Sequence, residues 1–234
     1  MRVFMIFLFP ILLFSSSIIN LPYSGFEVEH TLLDGSRKKV FIQKSQPKEC
    51  IDIAMSSQNF WSGDFASKNI DQKCKKEFIT TKGITQPINF NENIKTLGEL
   101  EVLEFIKYKS SQDSDKYILV DSRPLSWYED ITIPTAISIP YDELEADEMF
   151  MDEYLLNLQK LGLKELQNGT FDFTNAKTMV LFCNGIWCVQ SSRAMQKLID
   201  IGYPQDKIMW YRGGISSWLS VGLPVINNKN GKIR

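Results

Sequence analysis

From about Lys95 onward, apolar positions alternate between short continuous runs and stripes at helical spacing. The runs are Tyr117-Ile-Leu-Val120, Ala136-Ile-Ser-Ile139, Thr178–Phe182 and Ile208-Met-Trp-Tyr211. Short runs of this kind predict strands of a parallel sheet buried on both faces. Between them lie helical stripes. Leu97, Leu100, Val102, Leu103, Phe105 and Ile106 form one, with Thr96 and Glu99 spaced as a capping box. Met149, Met151, Tyr154, Leu155, Leu158 and Leu161 form a second, whose methionines are expected in the core. Ala194, Leu198 and Ile201 define a helix from Ser191 to about Ile201, with Gly202 placed to end it. A short helix is expected over Ile215–Leu219. Strands alternating with helices predict an α/β fold with a parallel sheet.

Before Lys95 the pattern weakens. Phe26–His30 and Lys39–Gln43 read as short strands, and Pro47–Pro87 is polar and irregular, with Phe60, Trp61 and Phe65 available for packing. That stretch reads either as an extension covering the main domain or as a lid or partner surface beside the functional edge. The first residues read as a targeting segment: Met1-Arg2, an apolar run from Val3 to Phe14 broken by Pro10, then Ser15-Ser16-Ser17. An uncleaved anchor is the alternative, since Ile18 and Ile19 extend the run to about the lower limit of a membrane span. The organisation expected is a signal peptide or anchor over 1–19, an extension over 20–94 and the main domain over 95–234. Both readings of the leader place the rest outside the cytoplasm, the periplasm being the compartment expected.

Charge narrows the partners. The chain has 26 Lys and Arg against 28 Asp and Glu, and no stretch mixes dense basic residues with aromatics, so nucleic acid is not an expected partner. A membrane partner is expected only if the leader stays in place. The acidic run Asp142–Glu153 reads as a solvated helix face. A single histidine, His30, excludes a His-rich metal site, and it reads as an ordinary surface residue. No metal or cofactor is called for.

Four cysteines matter more in an oxidising compartment. Cys50 and Cys74 are the simplest disulfide candidate, worth about 3.5 kcal/mol in the chain-entropy picture, although four cysteines allow three pairings. Cys183 and Cys188 share the segment Phe182-Cys183-Asn184-Gly185-Ile186-Trp187-Cys188-Val189-Gln190-Ser191. A cysteine at the end of a strand that turns into a helix lies over backbone N–H groups and at the positive helix end, which favours a thiolate and an anion. Gly185 lets the backbone approach closely. Trp187 either walls a pocket or simply packs. Arg193, ten positions after Cys183, is misplaced for a phosphatase of the Cys-x5-Arg type, and the lack of a nearby histidine argues against a Cys–His protease.

Val120-Asp121-Ser122-Arg123, Ile133-Pro-Thr-Ala136-Ile-Ser-Ile139-Pro140, Phe182-Cys183, Tyr203 and Arg212-Gly213-Gly214 with Trp218 occur in the order of a rhodanese-homology domain. From about Lys95 to the C-terminus the chain resembles that family, and its Cys-Asn-Gly-x-Trp-Cys loop is similar to that of secreted bacterial rhodanese-like proteins. The resemblance implies a five-stranded parallel sheet with helices on both sides. It also implies that Cys183 carries sulfane sulfur as a persulfide, taken from a small anionic donor such as thiosulfate or another persulfide and passed to a thiol or protein acceptor. The loop amides from Asn184 to Gln190 would then stabilise the persulfide anion. The loop runs about two residues longer than the common pattern, and Thr135 stands where a glycine is often found. Asp121 and Arg123 read as a structural ion pair under the loop, or as residues that orient it. Arg212 reads as an attractor of anions or as a solvated turn residue. Cys188 has three readings: a buried bystander, a disulfide partner of Cys183, or a resolving thiol. Two other functions stay open, a non-catalytic binding or sulfur-delivery module and a thiol–disulfide oxidoreductase using both loop cysteines.

Overall fold

The computed structural model describes residues 25–43 and 86–233. The leader, Cys50, Cys74 and most of the irregular stretch lie outside the described residues. Two strands, β1 (Phe26–Thr31) and β2 (Arg37–Ile42), form an antiparallel hairpin. Then follow β3 (Lys95–Thr96), α1 (Glu99–Phe105), β4 (Tyr117–Asp121), α2 (Leu125–Asp130), β5 (Ile137–Ser138), α3 (Met151–Lys160), β6 (Lys164–Glu165) and β7 (Phe171–Asp172). The chain continues through β8 (Thr178–Phe182), α4 (Gln190–Asp200), β9 (Ile208–Tyr211) and α5 (Gly214–Ser220).

Five strands pair in parallel in the order β3-β9-β8-β4-β5. β8 is the central strand, with β9 and β4 on either side, and each of the three carries a continuous run of four apolar residues. Leu119, Met179, Val180, Leu181 and Phe182 are all fully buried because helices cover both faces. Two core clusters result, one on each face. Val102, Phe105, Ile106, Ile215 and Trp218 belong to one, and Tyr154, Leu158, Ala194, Met195 and Leu198 to the other. Burial of this kind stabilises by about 25 cal/mol per Å² of apolar surface. Because the sheet is parallel, the segments after β4, β8 and β9 all emerge at one edge, where ligand sites of open α/β sheets form.

The hairpin is joined to this domain through its side chains. Val28, Val40 and Ile42 face inward by strict alternation and lie in the same core cluster as Val102 and Ile215. Its outward ion pairs, Lys39–Glu27 and Arg37–Glu29, are exposed and contribute little.

Several expectations are corrected. His30 is no surface residue: it is 1% exposed. It follows Val28 on the inward face of β1, and its Nε2 lies 2.5 Å from Asn228 Oδ1 while Nδ1 accepts the Thr135 N–H at 3.1 Å. Burial is the main cause that lowers its pKa. The α1 cap lies two residues later than the spacing suggests. Thr96 pairs in β3 with Trp210, and Gly98 caps the helix, its N–H donating to the Glu101 carboxylate at 3.0 Å. Met149 is 80% exposed, since α3 begins only at Met151. The acidic run is correspondingly not one helix face: a 3₁₀ turn over Tyr141–Leu144 and a loop precede α3.

Candidate active site

The site grows from the end of β8. Cys183 follows the last strand residue directly, and α4 opens at Gln190, one residue before the position expected from the pattern. The loop between them is held from three sides. Ile215 and Ser216 at the start of α5 donate their N–H groups to the carbonyls of Cys183 (3.0 Å) and Asn184 (2.8 Å). Gly214 makes this approach possible: its φ is +55°, and a Cβ there would fall 2.2 Å from the Cys183 carbonyl oxygen. Gly185 is required for space, since a Cβ would meet the Trp187 ring at 2.9 Å. On the outer side the Gln86 N–H donates to the Ile186 carbonyl at 2.7 Å, and the Gln86 carbonyl accepts from Arg212 Nε at 3.1 Å. Arg212 is thus a tie between the extension and the loop edge.

Below the loop lies a buried ion pair. Arg123 Nη2 and Nε bond to Asp121 Oδ2 and Oδ1 at 2.7 and 2.9 Å, and both side chains are inaccessible. Thr132 Oγ1 donates to Asp121 Oδ2 at 2.7 Å, and Arg123 also donates to the Ile131 carbonyl. Arg123 Nη1 then reaches Asn184 Oδ1 at 3.4 Å. The pair is closed, and its one outward bond touches the residue after Cys183. A pair this buried needs such a complete set of partners, because desolvation alone would cost several kcal/mol per ion.

The two sulfurs are free thiols and both are buried, Cys183 at 2% and Cys188 at 8% exposure. Cys183 Sγ lies 3.4 Å from the Cys188 carbonyl and 3.3 Å from the Ser191 hydroxyl. Cys188 Sγ lies 3.3 Å from the Gln190 side-chain amide. Burial, and then hydrogen bonding with Cys188, push the Cys183 thiol well up, with the Ser191 hydroxyl and N–H opposing. Cys188 is brought down to about 6, chiefly by the hydrogen bond with Cys183, with the Asn184 and Gln190 N–H groups and the Arg123 charge adding to this against burial.

Of the other loop residues, Ile186, Trp187, Val189 and Gln190 are partly exposed. Trp187 Nε1 is buried without a hydrogen-bond partner. Arg193 is exposed on α4. Among the described residues, no cluster of three or more His, Cys, Asp and Glu side chains could hold a metal ion, and no helix is long and apolar enough to cross a membrane.

Two residues absent from the sequence-based site belong to it. Ser191 touches the Cys183 sulfur, and Trp210 in β9 donates its indole N–H to Ser191 Oγ at 2.9 Å. Ser191 could have been found as the first small polar residue of the helix. Trp210 could not, because its contact depends on the pairing of β8 with β9.

An open parallel α/β domain with a cysteine at a strand-to-helix turn on its carboxyl edge is a recognisable class. The chain belongs to the rhodanese-like domain family, whose profile matches residues 105–221, half of the 234 residues. No curated protein matches the sequence. Among solved structures, the single-domain sulfurtransferase RDL2 of Saccharomyces cerevisiae is 22% identical (59% of this chain, 95% of that one, TM-score 0.38). A rhodanese-related protein of Thermoplasma volcanium is 21% identical (57% and 98%, TM-score 0.36). A Rhodopseudomonas palustris protein described as a possible tyrosine phosphatase is 23% identical (62% and 98%, TM-score 0.37). At these TM-scores the similarities do not bear on function.

Proposed function

We propose that this protein is a sulfurtransferase-type sulfur carrier that holds sulfane sulfur as a persulfide on Cys183. The observation that supports this most is the position of Cys183 Sγ, at the carboxyl end of β8 and against Ser191 at the start of α4. A sulfur there lies near the positive end of the helix, where negative charge is stabilised. Cys183 gives up its proton to solvent, and the Ser191 hydroxyl favours the sulfur that remains charged. The Cys183 thiolate then attacks the outer sulfur of thiosulfate. The new Cys183 S–S bond forms, the donor S–S bond breaks, and sulfite leaves with its electron pair. A nucleophilic acceptor, a small thiol or a protein cysteine, takes the outer sulfur and returns the thiolate.

Cys188 is assigned as the resolving thiol. The Cys188 thiol passes its proton to the outer sulfur of the persulfide and its sulfur attacks Cys183 Sγ; the persulfide S–S bond breaks, hydrosulfide leaves with the electron pair, and a Cys183–Cys188 disulfide remains, which a dithiol reductant opens. The placing of both cysteines in one short loop, with Cys183 Sγ 3.4 Å from the Cys188 carbonyl, favours this step and also favours the second reading, a thiol–disulfide oxidoreductase that carries no sulfane sulfur. The compartment proposed is extracytoplasmic, from the apolar leader and the similarity of the Cys-Asn-Gly-x-Trp-Cys loop to those of secreted variants.

The test is intact mass after incubation with thiosulfate, before and after cyanide, for the wild type, Cys183→Ser and Cys188→Ser. A cyanide-labile gain of one sulfur that requires Cys183 and is more persistent in Cys188→Ser is expected. A loss of two hydrogens that needs both cysteines, without sulfur gain, would establish the second reading. No loading from thiosulfate or a persulfide donor, with Cys183 reduced and alkylatable, would leave a binding module.

A further inference from the structure

The sulfur of Cys183 has a neighbour whose geometry is over-determined. Ser191 is fully buried, and its hydroxyl has a single proton to give. Trp210, itself 1% exposed, points its indole N–H at Ser191 Oγ at 2.9 Å. An indole N–H only donates, so it occupies the acceptor side of the serine oxygen. The hydroxyl proton is left to point elsewhere, and Cys183 Sγ lies 3.3 Å away as its acceptor. The backbone N–H of Ser191, one of those at the start of α4 without an intrahelical acceptor, also acts on the same sulfur. Hydrogen bonds in such a chain polarise one another, and a donor to an ionised acceptor is worth about twice a neutral one.

We propose that Ser191 is a catalytic residue that donates a hydrogen bond to the Cys183 sulfur when it is charged, as thiolate or as leaving thiolate of the persulfide, and that Trp210 is the positioning residue that aims it. The proposal rests on the carrier reading for its purpose, but its physical content concerns the Cys183 thiolate alone. The Cys188 carbonyl, 3.4 Å from the same sulfur, is an acceptor and suits the protonated thiol. Ser191 is thus the side-chain donor that favours the charged form, working against the burial that disfavours it.

The test uses the full chain in a Cys188→Ser background, so that Cys183 titrates alone. The rate of alkylation of the Cys183 peptide by iodoacetamide is followed against pH by mass spectrometry for the parent, Ser191→Ala, Trp210→Phe and the double variant. Urea unfolding of each confirms that the fold is retained. Ser191→Ala is expected to raise the apparent pKa of Cys183 by about one unit, about tenfold in thiolate fraction at neutral pH. Trp210→Phe, which keeps the ring, is expected to raise it by less. Its effect should vanish in the Ser191→Ala background, because the indole acts only through the serine. Sulfur loading should slow in the same order. An unchanged pKa in Ser191→Ala overturns the proposal, and so does a Trp210→Phe shift that persists without Ser191. If the pKa shifts as stated while no variant or parent loads sulfur, Ser191 keeps its role toward the thiolate and the carrier reading falls.

Discussion

Two buried polar networks stitch this domain together, and they end differently. At the hairpin corner, His30 joins Asn228, Thr135 and, through the Asn228 amide donating at 2.7 Å, the Tyr128 carbonyl. The N–H of Asn228 in turn reaches the Glu129 carbonyl at 3.0 Å. Both ring nitrogens of His30 are used, so the imidazole is neutral with its proton on Nε2. Under the cysteine loop, Asp121, Arg123 and Thr132 form a network of similar burial, yet its outward bond ends on Asn184 beside a sulfur that can gain or lose a proton. The first network fixes a distant segment of chain. The second holds a reactive group over a rigid base. The difference lies in what closes the chain of hydrogen bonds, a backbone carbonyl in one case and a loop with two thiols in the other.

That contrast can be broken by mutation. The largest effect is expected for Arg123→Ala, which strands the buried Asp121 carboxylate: about 3–5 kcal/mol should be lost in urea unfolding, with Cys183 loading reduced as well. Asn228→Ala strands the His30 ring N–H and should cost about 1–3 kcal/mol, while the loading rate of Cys183 stays within about twofold of wild type. A large loss of loading in Asn228→Ala would mean that the corner is not merely structural. Next in size is a pH effect. His30 has a pKa below its ordinary 6.5, so the unfolded chain binds a proton that the folded chain resists. Its neutral form therefore contributes full stability above about pH 6.5, and this contribution is lost as pH falls from there toward the folded value. Urea midpoints measured across that window should fall for wild type relative to His30→Gln. The smallest effect is expected at Thr135, whose φ of +76° is a left-handed conformation that a β-branched residue adopts at a cost. Thr135→Gly should gain up to about 1 kcal/mol, less what the more flexible unfolded chain takes back.

Much of this arrangement is legible in the chain. The central strands announce themselves because residues buried on both faces must be apolar throughout, as in Tyr117–Val120 and Met179–Phe182. The Asp121–Arg123 pair is legible because both partners lie within three residues and follow a buried strand. What stays hidden depends on contacts across long separations. Nothing near His30 signals Asn228, 198 positions away. The β6–β7 pair is only two residues per strand, with Phe171 its one apolar residue, so it has no alternation to read. Thr96 satisfies the capping pattern, yet edge pairing with β9 takes it into the sheet, and the cap passes to Gly98. Likewise the Ser191 hydroxyl on Cys183 Sγ, and the Trp210 indole behind it, depend on the pairing of β8 with β9 rather than on spacing.

The most direct measurement locates the sulfane sulfur. The full chain, reduced and then loaded with one equivalent of thiosulfate, is alkylated at once and digested, and the peptides bearing Cys183 and Cys188 are sequenced by mass spectrometry. The added sulfur is predicted on Cys183, with Cys188 alkylated as a plain thiol or found in a disulfide with Cys183 once sulfide has left. Sulfur carried on Cys188, with Cys183 unmodified, would contradict the account.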